Sequence, residues 1–593
     1  MILQALNDYY ERKKDDLPPE GWVNKGVDFI VVVNANGDYV ELHCLQEQTG
    51  KRTVPKAMFL PNIGKQALKH SNSGKDANLL WDNSAFLFGL GNKGKLKAES
   101  FIETINGYFS QDFDEGVSAV KSYLTKGLKD HSLFESVLEH PDFGEQIKSG
   151  NPVIVFKLAG DEGPVFYRPK VFSAISDTSN DGSEVTKGIC LVSGELDQNI
   201  EPTHTVIKGV KDAQTSGASI VSFNKDSFNS YGKKKAANSP VSKIAAQRYV
   251  KALNYLLSSG RQKIQIGDAT TVFWSDRINH VEDDFSVWFD EPDKDNPDKL
   301  TDKVKALLKS VDTGALPPED DETKFFILGL SPNSARISVR FWHTGTVAEF
   351  SRKIARHFHD LEIVHREFAK GSMSIKAFLK AIAPLNDLDR IPPNVAGDWM
   401  RSILMGSPYP ETLYHLALRK SKSHRSEKTT RLTHELDVEY PCAAIIKACL
   451  NRKNRYQSQH EKEMDVSLDK DNTNPGYRIG RLFAALEKIQ EEASPGINAT
   501  IRDRYYSSAS GTPASVFPIL LRMKNHHLGK LEKGREIYFE KLLGDVMSEI
   551  AANGFPPQLS LADQGRFAIG YYHQRQAFFT KSDKPETNTH KGE

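Results

Sequence analysis

The hydrophobic pattern of this chain changes its period near residue 345, and this change constrains the fold more than any other feature. Before it, short apolar runs of strand length alternate with helical segments and turn residues. After it, apolar residues recur at helical spacing almost to the C-terminus. The sequence therefore predicts an α+β protein, in which a mixed α/β region over 1–345 is followed by a largely helical region.

The N-terminal region contains a hairpin signal. Residues 29–33 form an apolar run, Asn36-Gly37 accept the positive φ of a tight turn, and 39–42 supply a second strand. A helix is predicted from about 242 to 257, with Gly260 as its stop. Further strands are predicted at 153–158, 165–167, 189–192, 270–274 and 325–330.

The C-terminal region divides at a polar segment. Residues 346–460 are predicted to be helical, and 461–476 to be a linker because few of them are apolar. Residues 477–593 are predicted to form a four-helix bundle, since amphipathic segments follow one another at short spacing. The pattern Ser560-x-x-Asp563 predicts the N-cap of the last helix. The four predicted helices lie near 477–493, 513–531, 534–552 and 560–579.

The charge of the chain is balanced. Lys+Arg 78 against Asp+Glu 77 gives a formal net charge of +1, which excludes binding to nucleic acid through bulk positive charge. Any site for a polyanion must therefore be local. Residues 419–431 are predicted to form a basic loop, and 283–298 and 317–322 to form acidic surface loops.

The cysteine usage and the hydropathy predict a cytoplasmic protein without a membrane contact. The 4 cysteines include no CxxC pair, which is typical of a reducing compartment. The longest apolar runs are far shorter than the roughly 20 residues of a membrane-spanning helix. No secretion signal opens the sequence.

One segment carries side chains suited to DNA base edges. Asn72, Ser73, Lys75 and Asn78 lie around a glycine and lead into Trp81-Asp82-Asn83. Asparagine can pair with adenine through two hydrogen bonds, and lysine can reach guanine or phosphate. The alternative is a surface turn anchored by Trp81.

Other basic and aromatic positions are candidates for contact with a nucleic-acid backbone. In the N-terminal region they are Asn224, Tyr231, Lys233, Lys234, Lys235, Arg336 and Arg340. In the C-terminal region, predicted on outer helix faces, they are Arg478, Arg481, Arg522, Lys524, Arg566 and Arg575. Aromatic rings can stack on bases while cations contact phosphates. The alternatives are a solvated loop, arginines that brace a loop, and ordinary helix-surface ion pairs.

The best nuclease-like group is His280 with Glu282, Asp283 and Asp284, since carboxylates with a histidine can hold Mg²⁺ or Mn²⁺. An exposed acidic loop explains the same residues. The sequence contains no nucleophile elbow, Walker lysine loop, HExxH or kinase motif. We therefore expect no catalytic residue, resident metal or cofactor.

Several stretches, in order along nearly the whole chain, resemble a known family. They are Met1-Ile2-Leu3-Gln4-Ala5-Leu6, Leu79-Leu80-Trp81-Asp82-Asn83, Ser230-Tyr231-Gly232 with Asn238-Ser239-Pro240-Val241-Ser242, Ala252-Leu253-Asn254-Tyr255-Leu256-Leu257, Gly267-Asp268-x-Thr270-x-Val272-Phe273-Trp274, Leu328-Gly329-Leu330-Ser331-Pro332-Asn333, Tyr477-Arg478-x-Gly480-Arg481-Leu482-Phe483 and Gly565-Arg566-Phe567-Ala568-x-Gly570-Tyr571-Tyr572. Together they resemble the large, signature subunit of type I-C CRISPR surveillance complexes, also called Cascade.

The resemblance implies a non-catalytic subunit that works with guide RNA (crRNA) and CRISPR backbone subunits. It implies recognition of the protospacer-adjacent motif in double-stranded DNA, assistance in duplex opening and R-loop formation, retention of the displaced strand, and recruitment of a helicase-nuclease. Base pairing then reads the long target, and the protein reads only a few base pairs. We expect Asn72, Lys75 and Asn78 to line the motif-reading loop.

The resemblance also implies that the C-terminal bundle is made separately as a small subunit from an internal start. Met464, in the polar linker, is the candidate start. Two other functions stay open at this point. One is the metal-dependent nuclease at His280, Asp283 and Asp284, and the other is a structural scaffold that assembles partners without touching DNA.

Overall fold

The computed structural model describes residues 1–49, 52–63, 76–177, 186–291, 295–296, 298–365, 372–423, 439–457, 461–548, 550 and 554–579. The chain divides into two compact units. The first consists of Met1–Ser259 with Ser331–Ser338, and the second of Gly260–Leu330 with Val339–Glu593. Helices and strands are both abundant, which confirms the α+β class.

The first unit contains short strands and eight helices within the described residues. Its helices are α1 (Ile2–Arg12), α2 (Ser84–Leu87), α3 (Gly94–Tyr108), α4 (Glu115–Lys129), α5 (Glu135–Leu138), α6 (Gly144–Ser149), α7 (Pro169–Asp177) and α8 (Lys243–Ser258). Its strands are β1 (Trp22–Val27), β2 (Phe29–Val33), β3 (Tyr39–Cys44), β4 (Glu47–Thr49), β5 (Arg52–Val54), β6 (Lys56–Pro61), β7 (Trp81–Asn83), β8 (Val153–Leu158), β9 (Lys187–Gly188) and β10 (Gln198–Asn199).

A four-stranded sheet in the order β3-β2-β8-β7 forms the centre of this unit. The predicted hairpin is confirmed, because β2 and β3 pair antiparallel and Gly37 adopts φ +77 in the turn between them. β2 pairs in parallel with β8, and β7 runs antiparallel along β8. All five residues of β2 are buried, since helices and neighbouring strands cover it.

Helix α8 confirms the helix predicted from about 242 to 257. The Ser242 side chain accepts a hydrogen bond from the Ala245 N–H at the helix start, and the apolar stripe that includes Tyr249 and Leu253 is buried. Two predicted strands are wrong. Residues Val165–Tyr167 form a 3₁₀ turn after a proline, and 189–192 form no strand, because in both places the apolar residues signalled burial without extended pairing.

The second unit begins with a sheet and continues as helices. Its strands are β11 (Lys263–Ile266), β12 (Ala269–Ser275) and, outside the Ser331–Ser338 part that belongs to the first unit, β13 (Lys324–Asn333) and β14 (Arg336–Thr346). Its helices are α9 (Val281–Phe289), α10 (Lys299–Asp312), α11 (Val347–Leu361), α12 (Ile375–Ile382), α13 (Asn394–Met405), α14 (Glu411–Ser423), α15 (Glu439–Tyr456), α16 (Pro475–Ala493), α17 (Ile501–Gly511), α18 (Pro513–Leu528), α19 (Lys533–Ser548) and α20 (Leu561–Ala577).

The predicted change of secondary structure near residue 345 is confirmed. β14 ends at Thr346, whose side chain caps α11 by accepting a hydrogen bond from the Glu349 N–H, and the described residues beyond it contain no strand. The two compact units nevertheless divide at 259–260 and not at this point. The assignment of separate domains over 1–345, 346–460 and 477–593 stays a prediction.

The predicted acidic loops are partly wrong. Val281–Phe289 is a helix, because Phe285, Trp288 and Phe289 recur at helical spacing and are buried. Pro318–Asp321 is a 3₁₀ turn in which Asp320 is fully buried and accepts a hydrogen bond of 2.7 Å from the Asn279 side chain. The acidic composition of these stretches therefore did not indicate the helix, which buried apolar residues stabilise, or the 3₁₀ turn, which the Asn279 amide stabilises.

The C-terminal segment contains five helices within its described residues, one more than predicted. The omitted helix is α17, which is short and polar but begins with a capping box at Thr500 and Asp503. The predicted N-cap at Ser560 is confirmed. Of the predicted basic loop, 419–423 belong to α14, and the rest lies outside the described residues. Among the described residues, no helix combines the length and apolar character needed to span a membrane.

Candidate nucleic-acid interface

The predicted motif-reading segment is only partly described. Asn72, Ser73 and Lys75 lie outside the described residues, whereas Asn78 and the Trp81-Asp82-Asn83 stretch are described. β6 ends at Pro61 on one side of this gap, and the Trp81 indole N–H on the other side donates a 2.7 Å hydrogen bond to the Pro61 carbonyl. This hydrogen bond therefore connects the described residues on the two sides of 64–75.

Asp82 is the polar centre of the Trp81-Asp82-Asn83 stretch. Its buried carboxylate accepts hydrogen bonds from the Asn78 backbone N–H at 2.8 Å, the Asn78 amide at 3.0 Å and the Asn83 N–H at 2.8 Å. Burial raises the pKa of Asp82 to about 6, against the effect of these donors. Asn78 is only 8% exposed, and its amide donates to the Asp82 carboxylate. Its side chain therefore stabilises the backbone around Asp82.

A tight turn at Ser230–Lys233 presents the predicted aromatic and basic side chains. Tyr231 and Gly232 both adopt positive φ, of 51° and 71°, and the Lys233 N–H donates a 2.9 Å hydrogen bond to the Ser230 carbonyl. Tyr231 is 97% exposed, and Lys233, Lys234 and Lys235 are also exposed. No described carboxylate lies within ion-pair distance of these three lysines.

Asn238 braces this turn, although it was not among the predicted site residues. Its side-chain oxygen accepts a 2.9 Å hydrogen bond from the Ser230 N–H. Its amide donates to the carbonyls of Lys233 and Lys235 at 3.1 Å and 2.9 Å. The signal available in the sequence was an asparagine close to a Tyr-Gly turn, because an amide supplies both a donor and an acceptor to nearby backbone.

The two arginines of β14 have different partners. Arg336 donates to the Asn224 side chain and lies over the Phe228 ring, with 4.5 Å between the guanidinium carbon and the ring centroid. It therefore braces the segment that precedes the turn. Arg340, in the second unit, forms a 2.7 Å ion pair with Asp268, and both side chains are partly exposed.

The prediction that Arg478, Arg481 and Arg566 lie on outer helix faces is wrong. They are 6%, 5% and 8% exposed. Arg478 donates to the Asn472 carbonyl, and Arg481 donates to the Lys470 carbonyl at 3.0 Å. Arg566 forms ion pairs with Asp563 and Glu461. These side chains connect helices to the segment that precedes them. The sequence could not reveal this burial, because an arginine can be buried along its aliphatic stem when its guanidinium group is paired.

The other three basic positions of this segment differ in exposure. Arg575 is largely buried and lies 2.9 Å from Glu491. Arg522 is exposed, and Lys524 is half-buried, on α18. Neither of these two cations has an ion-pair partner among the described residues. Arg522 is therefore the best-presented cation of the C-terminal set.

The nuclease-like group lies on and beside helix α9. Glu282 is buried and accepts a 2.7 Å hydrogen bond from the Ser275 N–H, while Asp284 forms a 2.8 Å ion pair with Lys303. Asp283 is exposed and lies 3.7 Å from Arg261. Within the described ranges, no three His, Cys, Asp or Glu side chains converge in a geometry that could hold a metal ion.

Met464, the candidate internal start, is buried in the second unit. Its backbone N–H donates a 2.8 Å hydrogen bond to the Asn451 side-chain oxygen, and its carbonyl accepts one of 2.9 Å from the same amide. The described part of the predicted linker is therefore attached to helix α15, although most of its residues are polar.

One known protein family matches almost the whole chain. A family model described as CRISPR-associated protein (Cas_Csd1) matches residues 6–579. No curated protein gives a significant match. The matched range includes the braced turn, the Trp81-Asp82-Asn83 stretch and all five C-terminal helices.

Proposed function

This chain belongs to the Cas_Csd1 family of CRISPR-associated proteins, and we propose that it is the non-catalytic large subunit of a type I-C surveillance complex. In this role it joins guide RNA and backbone subunits and recognises the protospacer-adjacent motif in duplex DNA. It then aids R-loop formation, holds the displaced strand and recruits a helicase-nuclease.

The observation that carries this proposal is the presentation of unpaired cations at one braced turn. Lys233, Lys234 and Lys235 are exposed without a described carboxylate partner, in a chain whose formal net charge is only +1. Such local sites give weak binding to random DNA and become effective when an assembly aligns them with a target. The balanced charge thus fits a protein that meets DNA within a complex.

We propose that the loop containing Asn72, Ser73 and Lys75 reads the motif, with Asn78 and Trp81-Asp82-Asn83 positioning it. The hydrogen bond from the Trp81 indole N–H to the Pro61 carbonyl brings together the described residues on either side of this stretch. The amide of Asn72 and the ammonium of Lys75 provide the chemistry for base edges and phosphates.

The test uses the assembled complex with guide RNA and target duplexes that differ only in the adjacent motif. Asn72→Ala with Lys75→Ala is expected to weaken binding to the preferred motif by roughly 10-fold to 100-fold, because each good base contact discriminates by about 1–3 kcal/mol. Mobility-shift titrations measure this change. Unchanged affinity and unchanged motif preference would exclude this segment from reading.

We propose no catalytic step for this subunit. Two carboxylates of the nuclease-like group, Glu282 and Asp284, already have partners on neighbouring elements. The purified protein is incubated with single-stranded and double-stranded DNA and Mg²⁺ or Mn²⁺. Cleavage that Asp283→Ala abolishes would establish the nuclease function instead.

We also propose that translation from Met464 yields the small subunit. In the full chain, the segment after Met464 contacts earlier helices through the Arg502–Glu439 ion pair of 2.9 Å and the 2.6 Å hydrogen bond from the Tyr414 hydroxyl to the Leu561 carbonyl. A separate product lacks these partners and therefore needs another surface within the complex. Intact-mass spectrometry of cells that express the whole gene should detect a product beginning at Met464, and its absence would refute the internal start.

A further inference from the structure

The turn at Ser230–Lys233 has the backbone geometry of a two-residue hairpin turn but an unusual residue at its tip. Positive φ at both central residues is the type I′ pattern, for which Asn-Gly is the favoured pair. Here Tyr231 takes the first central position at φ 51°, where a bulky side chain is strained. Tyrosine at position 231 is therefore less favourable for forming this turn than asparagine would be.

The ring of Tyr231 makes no contribution to a core either. It is 97% exposed, more than any other large apolar or aromatic side chain of the described residues. A strained backbone that holds an aromatic ring in solvent needs a reason outside the folded chain, because strain of this kind usually persists at binding sites.

The backbone that carries the ring is braced before any partner arrives. Asn238 makes three hydrogen bonds to Ser230, Lys233 and Lys235, and the Lys233 N–H closes the turn. Upstream, Arg336 on β14 secures the Asn224–Phe228 segment. A turn held in this way loses little backbone conformational entropy on binding.

The surroundings of the ring are of one charge. Lys233, Lys234 and Lys235 follow it directly and are exposed, with no ion-pair partner among the described residues. Lysine is depleted in the cores of protein–protein interfaces, so this tip is a poor match for a protein partner. An aromatic ring beside unpaired lysines instead suits a single strand, whose bases offer free faces and whose phosphates carry negative charge.

We propose that Tyr231 stacks on an unpaired base of single-stranded DNA while Lys233 and Lys234 contact the adjacent phosphates. This inference deepens the proposed function and rests on it, since it identifies where the displaced strand is held. A paired duplex offers no free base face to this ring, so the site discriminates single strands from duplex by geometry.

The test compares variants that separate the ring from the turn. Tyr231→Asn removes the ring but supplies the residue that a type I′ turn prefers, so the turn is retained. Tyr231→Phe keeps the ring. Using the full-length chain and a fluorescent oligothymidine strand, we expect Tyr231→Asn to weaken binding roughly 5-fold to 100-fold and Tyr231→Phe to stay within about 2-fold.

Tyr456 provides a matched control. It is also exposed, at 68%, but its basic neighbours Lys453 and Arg455 form ion pairs with Glu411 and Glu463. Tyr456→Ala should leave the affinity unchanged. A second measurement is 2-aminopurine fluorescence in the bound strand, which stacking on Tyr231 quenches and Tyr231→Asn restores.

The lysines have a separate signature. Lys233→Ala with Lys234→Ala should reduce the slope of log affinity against log salt by about 1.4, since each phosphate contact to a single strand contributes roughly 0.7. Unchanged affinity in Tyr231→Asn, or an equal loss in Tyr231→Asn and Tyr231→Phe, would overturn the stacking role. The stacking role would also be overturned if Tyr231→Asn bound the strand normally but no longer associated with the backbone subunits. That result would assign the tip to a protein partner.

The assembled complex distinguishes this inference from the proposed function. If the wild-type complex binds a matched target and Tyr231→Asn does so with an equally protected displaced strand, the stacking role alone fails. If the wild-type complex does not bind target DNA at all, the proposed function fails. Permanganate footprinting of thymines in the displaced strand measures the protection.

Discussion

The C-terminal helices and the Ser230–Lys233 turn are both rich in basic residues, but they use them in opposite ways. In the C-terminal helices, Arg478, Arg481 and Arg566 are buried and bind carbonyls or carboxylates. At the turn, Lys233 and Lys234 are exposed and have no described acidic partner. The first group stabilises the fold, and the second remains available to a polyanion.

This difference shows that the density of basic residues does not locate a nucleic-acid surface. A cation contributes to polyanion binding only when its charge is not already neutralised, and a buried guanidinium in an ion pair is costly to release. The planar guanidinium is suited to buried pairing, whereas the strongly hydrated ammonium stays in water.

The largest effect is expected at Arg502, which is buried at the start of helix α17. Its guanidinium lies 2.9 Å from Glu439 and over the rings of Tyr506 and Tyr571. Arg502→Ala leaves the Glu439 carboxylate without this cation, so we expect a loss of about 3–5 kcal/mol in the free energy of unfolding. Chemical denaturation followed by circular dichroism measures it.

A matched control for this prediction is Arg522→Ala, which removes an exposed arginine from the next helix, α18. Its midpoint of denaturation should equal that of the wild type, because exposed charges contribute little to stability. A similar loss in both variants would contradict the division between stabilising and available cations.

The sequence was sufficient for the parts of the fold that local chemistry decides. The hairpin of β2 and β3 depends on the Asn36-Gly37 turn. Helix α8 depends on its Ser242 cap and its apolar stripe, and the change from strands to helices occurs where Thr346 caps α11. Helix α17 escaped prediction because its polar surface gives almost no hydrophobic periodicity and its stability comes from packing.

The site was predictable in its chemistry but not in its exposure. The run of Lys233 to Lys235 and the adjacent Tyr-Gly pair indicated an aromatic and basic surface, and the structure presents both. By contrast, Arg481 and Arg566 share the helical spacing of surface residues, and only their tertiary partners Gln574 and Glu461 show that they are buried. Partners distant in sequence leave no local pattern.

An intermediate effect is expected at Asn238, which braces the turn without being charged. Asn238→Ala removes three hydrogen bonds to backbone groups of the turn. The turn then has to be ordered on binding, at a cost of about 1–2 kcal/mol, so affinity for a single strand should fall roughly 5-fold to 30-fold. Fluorescence anisotropy with labelled oligothymidine gives the change.

The control for the brace is Asn229→Ala, whose amide donates a single weak hydrogen bond of 3.4 Å to Asp226. This variant should bind the strand as the wild type does. An undiminished affinity in Asn238→Ala would show that the lysines bind the strand without a preformed turn. The paired arginines and the exposed lysines would then differ only in whether their charge is neutralised.

The smallest effect is expected on helix α18, where Arg522 and Lys524 are unpaired among the described residues but lack an aromatic neighbour of the Tyr231 kind. Because they are two residues apart, they point to opposite sides of the helix, and one strand can contact only one of them. Arg522 is the more exposed, so Arg522→Ala should weaken strand binding about 2-fold to 5-fold at low salt, and Lys524→Ala should have no effect. Titrations at two salt concentrations measure both variants. Equal losses, or a loss as large as that of Lys233→Ala with Lys234→Ala, would mean that exposure without a braced ring is sufficient.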